Sequence, residues 1–238
     1  IKGNANISLF KSYRNTEIEI NSFTKILEIL EKKQINEIIM AGKILRPSIK
    51  DIKFDLKTIN LIKDYFLESK GDDQLLKSIE DFFLKNGFPL FDWKKTCNEL
   101  FAEEDHLTTI KPSKNANKNK EKGLEIFELV GKADIGQSLI IQNQLVLGIE
   151  CIEGTDELII RSNNYKKLGD RGILLKLTKY NQHNKLDLPV IGIKTLELLL
   201  KYDYEGLFIE KSKCIIIEKE KVIDFCNNNN LFLSTVKK

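Results

Sequence analysis

The chain has 238 residues, 42% hydrophobic and 31% charged, an ordinary globular composition whose length fits one large domain or two small ones. Lys and Arg number 38 against 35 Asp and Glu, and the segment 111–122 alone holds five Lys and one Glu, so the rest of the chain is net −1. That pattern excludes the broad basic face of a nucleic-acid binder, no apolar run approaches the ~18 residues of a membrane span, and the first residues lack the basic start and apolar stretch of a signal peptide.

In chain order, Ser22 can cap a helix over 23–33, with Phe23, Ile26, Leu27 and Leu30 on one face at helical spacing. The apolar run 37–42 ends in glycine and reads as a buried strand. Pro47 biases Arg46 away from helix, making 43–47 a loop. Two amphipathic helices follow, over about 57–68 and 73–86, separated by Lys70-Gly71-Asp72-Asp73, where Gly71 stops the first and Asp72 or Asp73 caps the second. Residues 88–90 read as a weak strand and 93–101 as a short helix. The stretch 111–120, KPSKNANKNK, contains no large apolar residue and reads as an exposed linker. Beyond it the pattern predicts a helix over 123–130, strands over 138–141 and 145–151 joined by a turn at 142–144, and a helix over 155–162. A strand over 173–177, a helix over 194–202, strands over 207–210 and 214–218, a helix over 219–226 and a closing strand over 231–235 complete the chain. This alternation predicts an α/β fold of two α/β domains, 1–110 and 123–238, with 111–122 as a lysine-rich linker.

Four cysteines, Cys97, Cys151, Cys214 and Cys226, show no paired spacing; three lie in apolar contexts and read as buried free thiols of a reducing compartment. With only His106 and His183, a His-rich zinc site does not fit.

The polar residues of the second half carry the chemistry. Asp134-Ile-Gly-Gln137 lies between a helix and a strand, and Glu150 with Glu153-Gly154-Thr155-Asp156 lies where the strongest strand turns into a helix. In open α/β sheets that edge binds ligands. Gly154 permits close backbone approach, Thr155 opens a helix whose free N–H groups favour an anion, and Glu150 and Asp156 could hold a cation beside it. The plainer alternative is that Thr155 and Asp156 only cap the helix. Asp187, between Leu186 and Leu188 and ahead of Pro189, sits on a poorly solvated turn and needs a cation, a donor or a metal, with Lys185, Lys176 and Arg161 as partners; alternatively it forms an Asx-turn. His183 reads as a surface loop residue. In the first half, Gly42-Lys-Ile-Leu-Arg46 could offer backbone donors and cations to a phosphate. Neither a Walker pattern nor GxGxxG is present.

Taken together, DIGQ at 134–137, LVLGIECIEGTDELI at 145–159 and DLPVIG at 187–192, extended by AGKILRP at 41–47 and KGDDQLL at 70–76, resemble the LpxI-type UDP-2,3-diacylglucosamine diphosphatase (pyrophosphatase) family of lipid A biosynthesis. The order and spacing match from about residue 20 to the end. The resemblance implies a cytoplasmic hydrolase that uses Mg2+ to split UDP-2,3-diacylglucosamine into UMP and 2,3-diacylglucosamine 1-phosphate, with water attacking the phosphorus on the sugar side. It implies a two-domain body with the substrate held between the domains. Asp187 matches the catalytic Asp, as metal ligand or general base, with Glu150 and Asp156 as further candidate ligands. Gln137, Glu150, Glu153, Gly154, Thr155, Asp156 and Lys185, with Gly42, Arg46 and Asp72 from the first half, match substrate-binding positions. Lys185 stands where the family usually has Arg, which keeps the charge and loses the bidentate fork. A lipid substrate implies peripheral contact with the inner leaflet, to which the 111–122 lysines would be attracted by roughly 1 kcal/mol each.

The family opens with a strand, a glycine-rich loop and a helix in a Rossmann-like first domain. This chain instead starts at the expected second strand, 1–9, and carries Asn21 in place of a usual glycine, so an N-terminally truncated first domain is expected, poorly placed to bind UDP. The alternative reading is a protein of the same ancestry that binds a UDP-sugar or lipid without cleaving it. Oligomeric state is left open by the sequence.

Overall fold

The computed structural model describes residues 2, 7–19, 23–42, 72–133, 135–179 and 188–238. The chain divides into two compact units, Ile1–Trp93 and Lys94–Lys238. The expected helix over 57–68 and the Ser22 cap lie outside the described residues.

In the first unit, helix α1 (Phe23–Lys32) and helix α2 (Asp72–Lys85) form as their periodicity predicts. Leu27 of α1 is buried with Phe83 and Phe88, and Phe23, Ile26 and Leu30 pack on the same cluster with Ile79 and Phe82. Phe23 and Phe82 meet edge to face, 5.3 Å between centroids. The expected strand at 37–42 is reduced to one parallel bridge between Ile38 and Leu90, with the Ile38 N–H donating to the Pro89 carbonyl at 3.1 Å and its carbonyl accepting from Phe91 at 2.9 Å. A continuous apolar run becomes a strand only when both faces are covered, and Ile39 here is 53% exposed. The described part of the first unit therefore carries no Rossmann-like sheet. Two further expectations are corrected. Ile7–Phe10 is a 3-10 turn instead of a strand, and the helix expected over 93–101 is two 3-10 turns, Trp93–Lys95 and Asn98–Leu100, because Cys97 leaves helical geometry at φ −125°, ψ 38°.

The second unit bears out the α/β reading. Strands β1 (Ser138–Gln142), β2 (Leu145–Ile149), β3 (Ile173–Lys176), β5 (Gly206–Glu210) and β7 (Phe232–Val236) form one mixed sheet in the order β2-β1-β3-β5-β7. β4 (Val190–Ile191) and β6 (Ile215–Ile216) pair separately. β1 and β2 are joined by Asn143 and Gln144, both at positive φ (51° and 61°), the geometry that matches a two-residue hairpin to the twist of its strands. β1 is antiparallel to both neighbours, and β3, β5 and β7 are parallel.

The runs SLIIQ, ILLK and GLFIE are continuous because both faces of the sheet are covered. Leu139, Ile141, Ile173, Leu175, Phe208 and Phe232 pack under Phe127 of helix α3 (Lys114–Lys132). Ile140, Leu174, Leu207, Ile209 and Leu233 face Leu158, Leu196, Leu199 and Val222 from helices α4 (Thr155–Asn163), α5 (Ile193–Lys201) and α6 (Lys219–Asn228).

Helix α3 corrects the linker expected at 111–122, whose second part is the first half of a 19-residue helix. Ser113 caps it, accepting from the Ala116 N–H at 3.0 Å, and is itself held by Glu205. The face turned to the sheet is Ala116, Asn119, Gly123 and Phe127, all buried. A Cβ on Gly123 would meet Leu175 Cδ2 at 2.7 Å and Ile141 Cδ1 at 2.8 Å, so glycine lets the helix lie close to the sheet. Asn119 donates to Asp170 Oδ1 at 3.1 Å and accepts from the Gln144 N–H at 2.7 Å. Asp170 also accepts from the Asn143 and Gly172 amides. The unit boundary falls at Trp93/Lys94, not at the lysines.

Two of the three cysteines expected to be buried are so: Cys214 and Cys226, whose thiols burial pushes up to about 12, while Cys151 is exposed beyond β2. Among the described residues no helix is long and apolar enough to cross a membrane.

Asn119→Ala strips the Gln144 amide and Asp170 of a buried partner, and is expected to lower stability by about 1–3 kcal/mol in urea unfolding. Lys118→Ala, on the exposed face of the same helix, should stay within about 0.5 kcal/mol. A linker would show no difference between the two.

Candidate functional site

β1 runs against β2 and against β3, so β2 is parallel to β3, β5 and β7, and all four end at the edge where β1 begins. The site is built on that carboxyl edge. Glu150, one residue past β2, donates its N–H to the Ser138 carbonyl at 2.9 Å. Gly136 of the DIGQ motif lies against it so closely that a Cβ would fall 1.9 Å from the Glu150 carbonyl oxygen, which is why no side chain stands there.

The chain turns through Cys151–Glu153 to Gly154, the residue preceding α4, at φ +84°. Space around a Cβ at Gly154 is open, so the backbone conformation demands glycine, not the packing. Among the described residues no side chain caps α4. The amides of Thr155, Asp156 and Glu157 thus stand without intrahelical acceptors, the first closed turn being Leu158 N–H to the Gly154 carbonyl at 3.1 Å. The capping alternative for Thr155 is thereby corrected. Its hydroxyl donates to Glu150 Oε1 at 2.9 Å and accepts from Lys176 Nζ at 2.5 Å. Ser138 Oγ stands 3.3 Å away and is the donor of that contact, since the one Thr155 proton is already engaged. Ser138 and Lys176 are register partners across β1 and β3, and period-2 alternation puts both on the face covered by α4. Glu150 Oε2 is buried and has no hydrogen-bond partner among the described residues.

Around this centre the other charges are matched. Arg161 donates through Nε and Nη2 to Glu153 Oε1 (2.9 and 2.6 Å) and through Nη2 to the Ile149 carbonyl at 2.6 Å. Burial works to raise the Glu153 carboxyl, yet the backbone amides of Glu153 and Cys151 together with Arg161 outweigh it and hold the pKa below the ordinary value. Lys194 in the first turn of α5 pairs with Asp156 in the first turn of α4 at 2.7 Å, tying two helix starts together; α5 likewise has no side-chain cap. At the end of β5, Glu210 (2% exposed) accepts from the Thr178 N–H at 2.9 Å and hydroxyl at 2.6 Å and pairs with Lys213 at 2.7 Å. Lys238 holds the Thr178 carbonyl at 2.9 Å.

Of the residues expected from sequence, Gln137, Glu150, Gly154 and Thr155 come together here, with Glu153 and Asp156 alongside in ion pairs. Gln137 accepts at its carbonyl from the Leu177 N–H at 2.8 Å. Gly42 lies in the other unit at φ +93°, and Asp72 is the first residue of α2. Arg46, Lys185 and Asp187 lie outside the described residues. Arg161 and Lys176, expected as partners of Asp187, are engaged among the described residues by Glu153 and Thr155. Ser138 was not foreseen, and Lys176 was foreseen only as a partner of Asp187; the further signal was a charge ending a strand apolar on both faces.

Among the described residues no three His, Cys, Asp or Glu side chains gather as a metal site. Asp156 is taken by Lys194, and the buried Glu150 Oε2 is a hard oxygen of the kind Mg2+ accepts, so one ligand position fits. Chemically, the edge offers free helix amides and a buried ammonium to an anion, with a carboxyl group beside them.

Two family models match this chain: the LpxI N-terminal domain over residues 1–100 and the LpxI C-terminal domain over residues 103–234. A protein of Caulobacter vibrioides named UDP-2,3-diacylglucosamine pyrophosphatase LpxI is 26% identical over 231 residues, covering 93% of this chain and 81% of its own.

Because the Glu153 pKa is lowered in the folded state, its contribution to stability is complete at neutral pH and is lost as pH falls below the ordinary 4.5 through the lowered value. Glu153→Gln should therefore melt below the wild type at pH 7, and the gap should close as pH falls from 5 toward about 3 in a melting series.

Proposed function

We infer what this protein does from one premise: the chain belongs to the LpxI family, matching both of its domains over residues 1–100 and 103–234. The reading is a hydrolase of lipid A biosynthesis that splits the pyrophosphate bond of UDP-2,3-diacylglucosamine, yielding UMP and 2,3-diacylglucosamine 1-phosphate. The name of the Caulobacter relative supports the substrate. The observation that carries the chemistry is the start of α4, uncapped among the described residues, with the Thr155 hydroxyl turned to Glu150 and Glu150 Oε2 without a described partner.

Phosphoryl transfer needs charge neutralisation and in-line positioning more than covalent assistance. The amides of Thr155–Glu157 supply fixed donors to phosphoryl oxygens, and the Asp156–Lys194 pair holds the start of α5 beside them. Water adds to the phosphorus on the sugar side, the bond from that phosphorus to the bridging oxygen breaks, and UMP leaves with the electron pair. Asp187 is read as the acceptor of the water proton. A divalent cation, read as magnesium, would take Glu150 Oε2 with Asp187 and Asp156 as further candidates, and would supply neutralisation of phosphate charge.

A cytoplasmic place against the inner leaflet follows from a lipid substrate. The exposed lysines Lys111, Lys114 and Lys118 are read as its electrostatic contact. Asn119 meets the Asn143–Gln144 turn, so these lysines lie at the opposite end of the sheet from Glu150 and Thr155. They would hold the protein near its substrate without guiding it into the site.

With the full-length protein and magnesium, UMP release is expected, and Asp187→Ala should lower it by about 10²–10⁴-fold. Thr155→Val, which keeps shape and removes the hydroxyl, should cost about 10–100-fold in kcat/KM and also lower the melting temperature, because Lys176 and Glu150 Oε1 both lose the hydroxyl that joins them. UMP binding without release would make the protein a non-catalytic binder. Changing Lys111, Lys114 and Lys118 to Gln should reduce retention on anionic vesicles at low salt; unchanged retention would reject the lysine contact.

A further inference from the structure

Lys176 ends β3 and is 5% exposed, beneath α4 on the carboxyl edge. A buried ammonium is costly unless its three donors are met and its charge is balanced. Among the described residues, the one hydrogen bond Lys176 makes is to Thr155 Oγ1 at 2.5 Å. Two N–H donors have no acceptor there. Thr155 donates its own hydrogen bond to Glu150 Oε1 at 2.9 Å, and Glu150 Oε2 is buried without a hydrogen-bond partner among the described residues. A cation with two open donors is thus joined through one hydroxyl to a carboxyl group with one open acceptor.

Other cations on this edge are engaged differently. Lys194 meets Asp156 at 2.7 Å, Lys213 meets Glu210 at 2.7 Å, Arg161 meets Glu153 at 2.6 Å and Lys238 meets the Thr178 carbonyl at 2.9 Å. Each finds a carboxylate or carbonyl directly, whereas among the described residues Lys176 finds only a hydroxyl. An ion pair separated by a hydroxyl and open at both ends contributes less to stability than an apolar pair of the same shape, so it marks a site kept for a ligand.

We propose that Lys176 is a substrate-contacting residue, turning its two open N–H bonds to a phosphoryl oxygen of the diphosphate while the Thr155–Glu150 pair sets its position. The inference rests on the phosphorus-anhydride reading above. Lys176 gives the anion a charge inside the wall of the site, where solvent does not screen it, next to the amides of α4.

The test uses full-length Lys176→Met, and the double variant Lys176→Met with Glu150→Gln, which leaves no buried charge. Melting with and without inorganic pyrophosphate, and UMP release with magnesium, are measured for each. The double variant is expected to melt no lower than the wild type, to lose the stabilisation that pyrophosphate gives the wild type, and to lose about 100-fold or more in kcat/KM. Propylammonium should partly restore UMP release to Lys176→Ala, as a purely structural lysine would not allow. A pyrophosphate shift preserved in either variant, no shift in the wild type, or failure of both variants to fold would overturn the proposal. A wild type that shows the shift but releases no UMP rejects the hydrolase reading and leaves the anion contact standing. UMP release by the wild type at the same rate as by Lys176→Met rejects Lys176 alone.

Discussion

Strand β1 runs against both of its neighbours, and that reversal decides which strand ends meet. If β1 ran with β3, its hairpin partner β2 would point the other way, and Glu150 with the start of α4 would lie at the far edge from Lys176. As it stands, β2, β3, β5 and β7 all discharge onto one edge. The register Ser138–Lys176 and the bond from Glu150 N–H to the Ser138 carbonyl then bring groups from β1, β2, β3 and α4 within hydrogen-bonding reach. Gly136 is part of the same constraint, because any side chain there would drive Glu150 off its place.

A sheet with two edges must also be kept from pairing outward. The β7 edge is covered by residues 105–108, with Leu107 N–H on the Leu233 carbonyl at 3.0 Å, Thr235 N–H on the Asp105 carbonyl at 2.9 Å, and Thr108 Oγ1 accepting from Leu233. The β2 edge is blunted instead. Its register slips beside Ile140 and Ile141, leaving Leu147 as a bulge, and Arg161 occupies the carbonyl of Ile149. The residue that holds Glu153 in the site therefore also closes the end of an edge strand.

Much of this fold was legible because buried strands and amphipathic helices leave different periods. The runs at 138–142, 173–176 and 206–210, the turn at Asn143–Gln144 and the helix starting at Thr155 all follow from that. Helix α3 was half illegible for a physical reason. Its buried face begins with Ala116, Asn119 and Gly123, which are buried through close approach and hydrogen bonding, whereas hydrophobic periodicity registers only large side chains that avoid water. The strand expected at 37–42 had the right residues and lacked a covered second face. In the site, Glu150 and Thr155 were found because glycine and carboxylates at a strand end are conspicuous. Lys176 was legible only as a partner for Asp187; its burial beside Thr155 was not, since a lysine ending a strand looks like a solvated terminus until the sheet shows that helices cover it. The position of Asp187 lies outside the described residues.

The knot of Asn119, Asp170, Asn143 and Gln144 binds a helix, a hairpin and the approach to β3 at the end of the sheet remote from Glu150 and Lys176. The packing knot and the proposed anion-binding edge thus lie at opposite ends of one layer. A substitution at the knot therefore firms or softens the body of the unit without touching the charges of the proposed site.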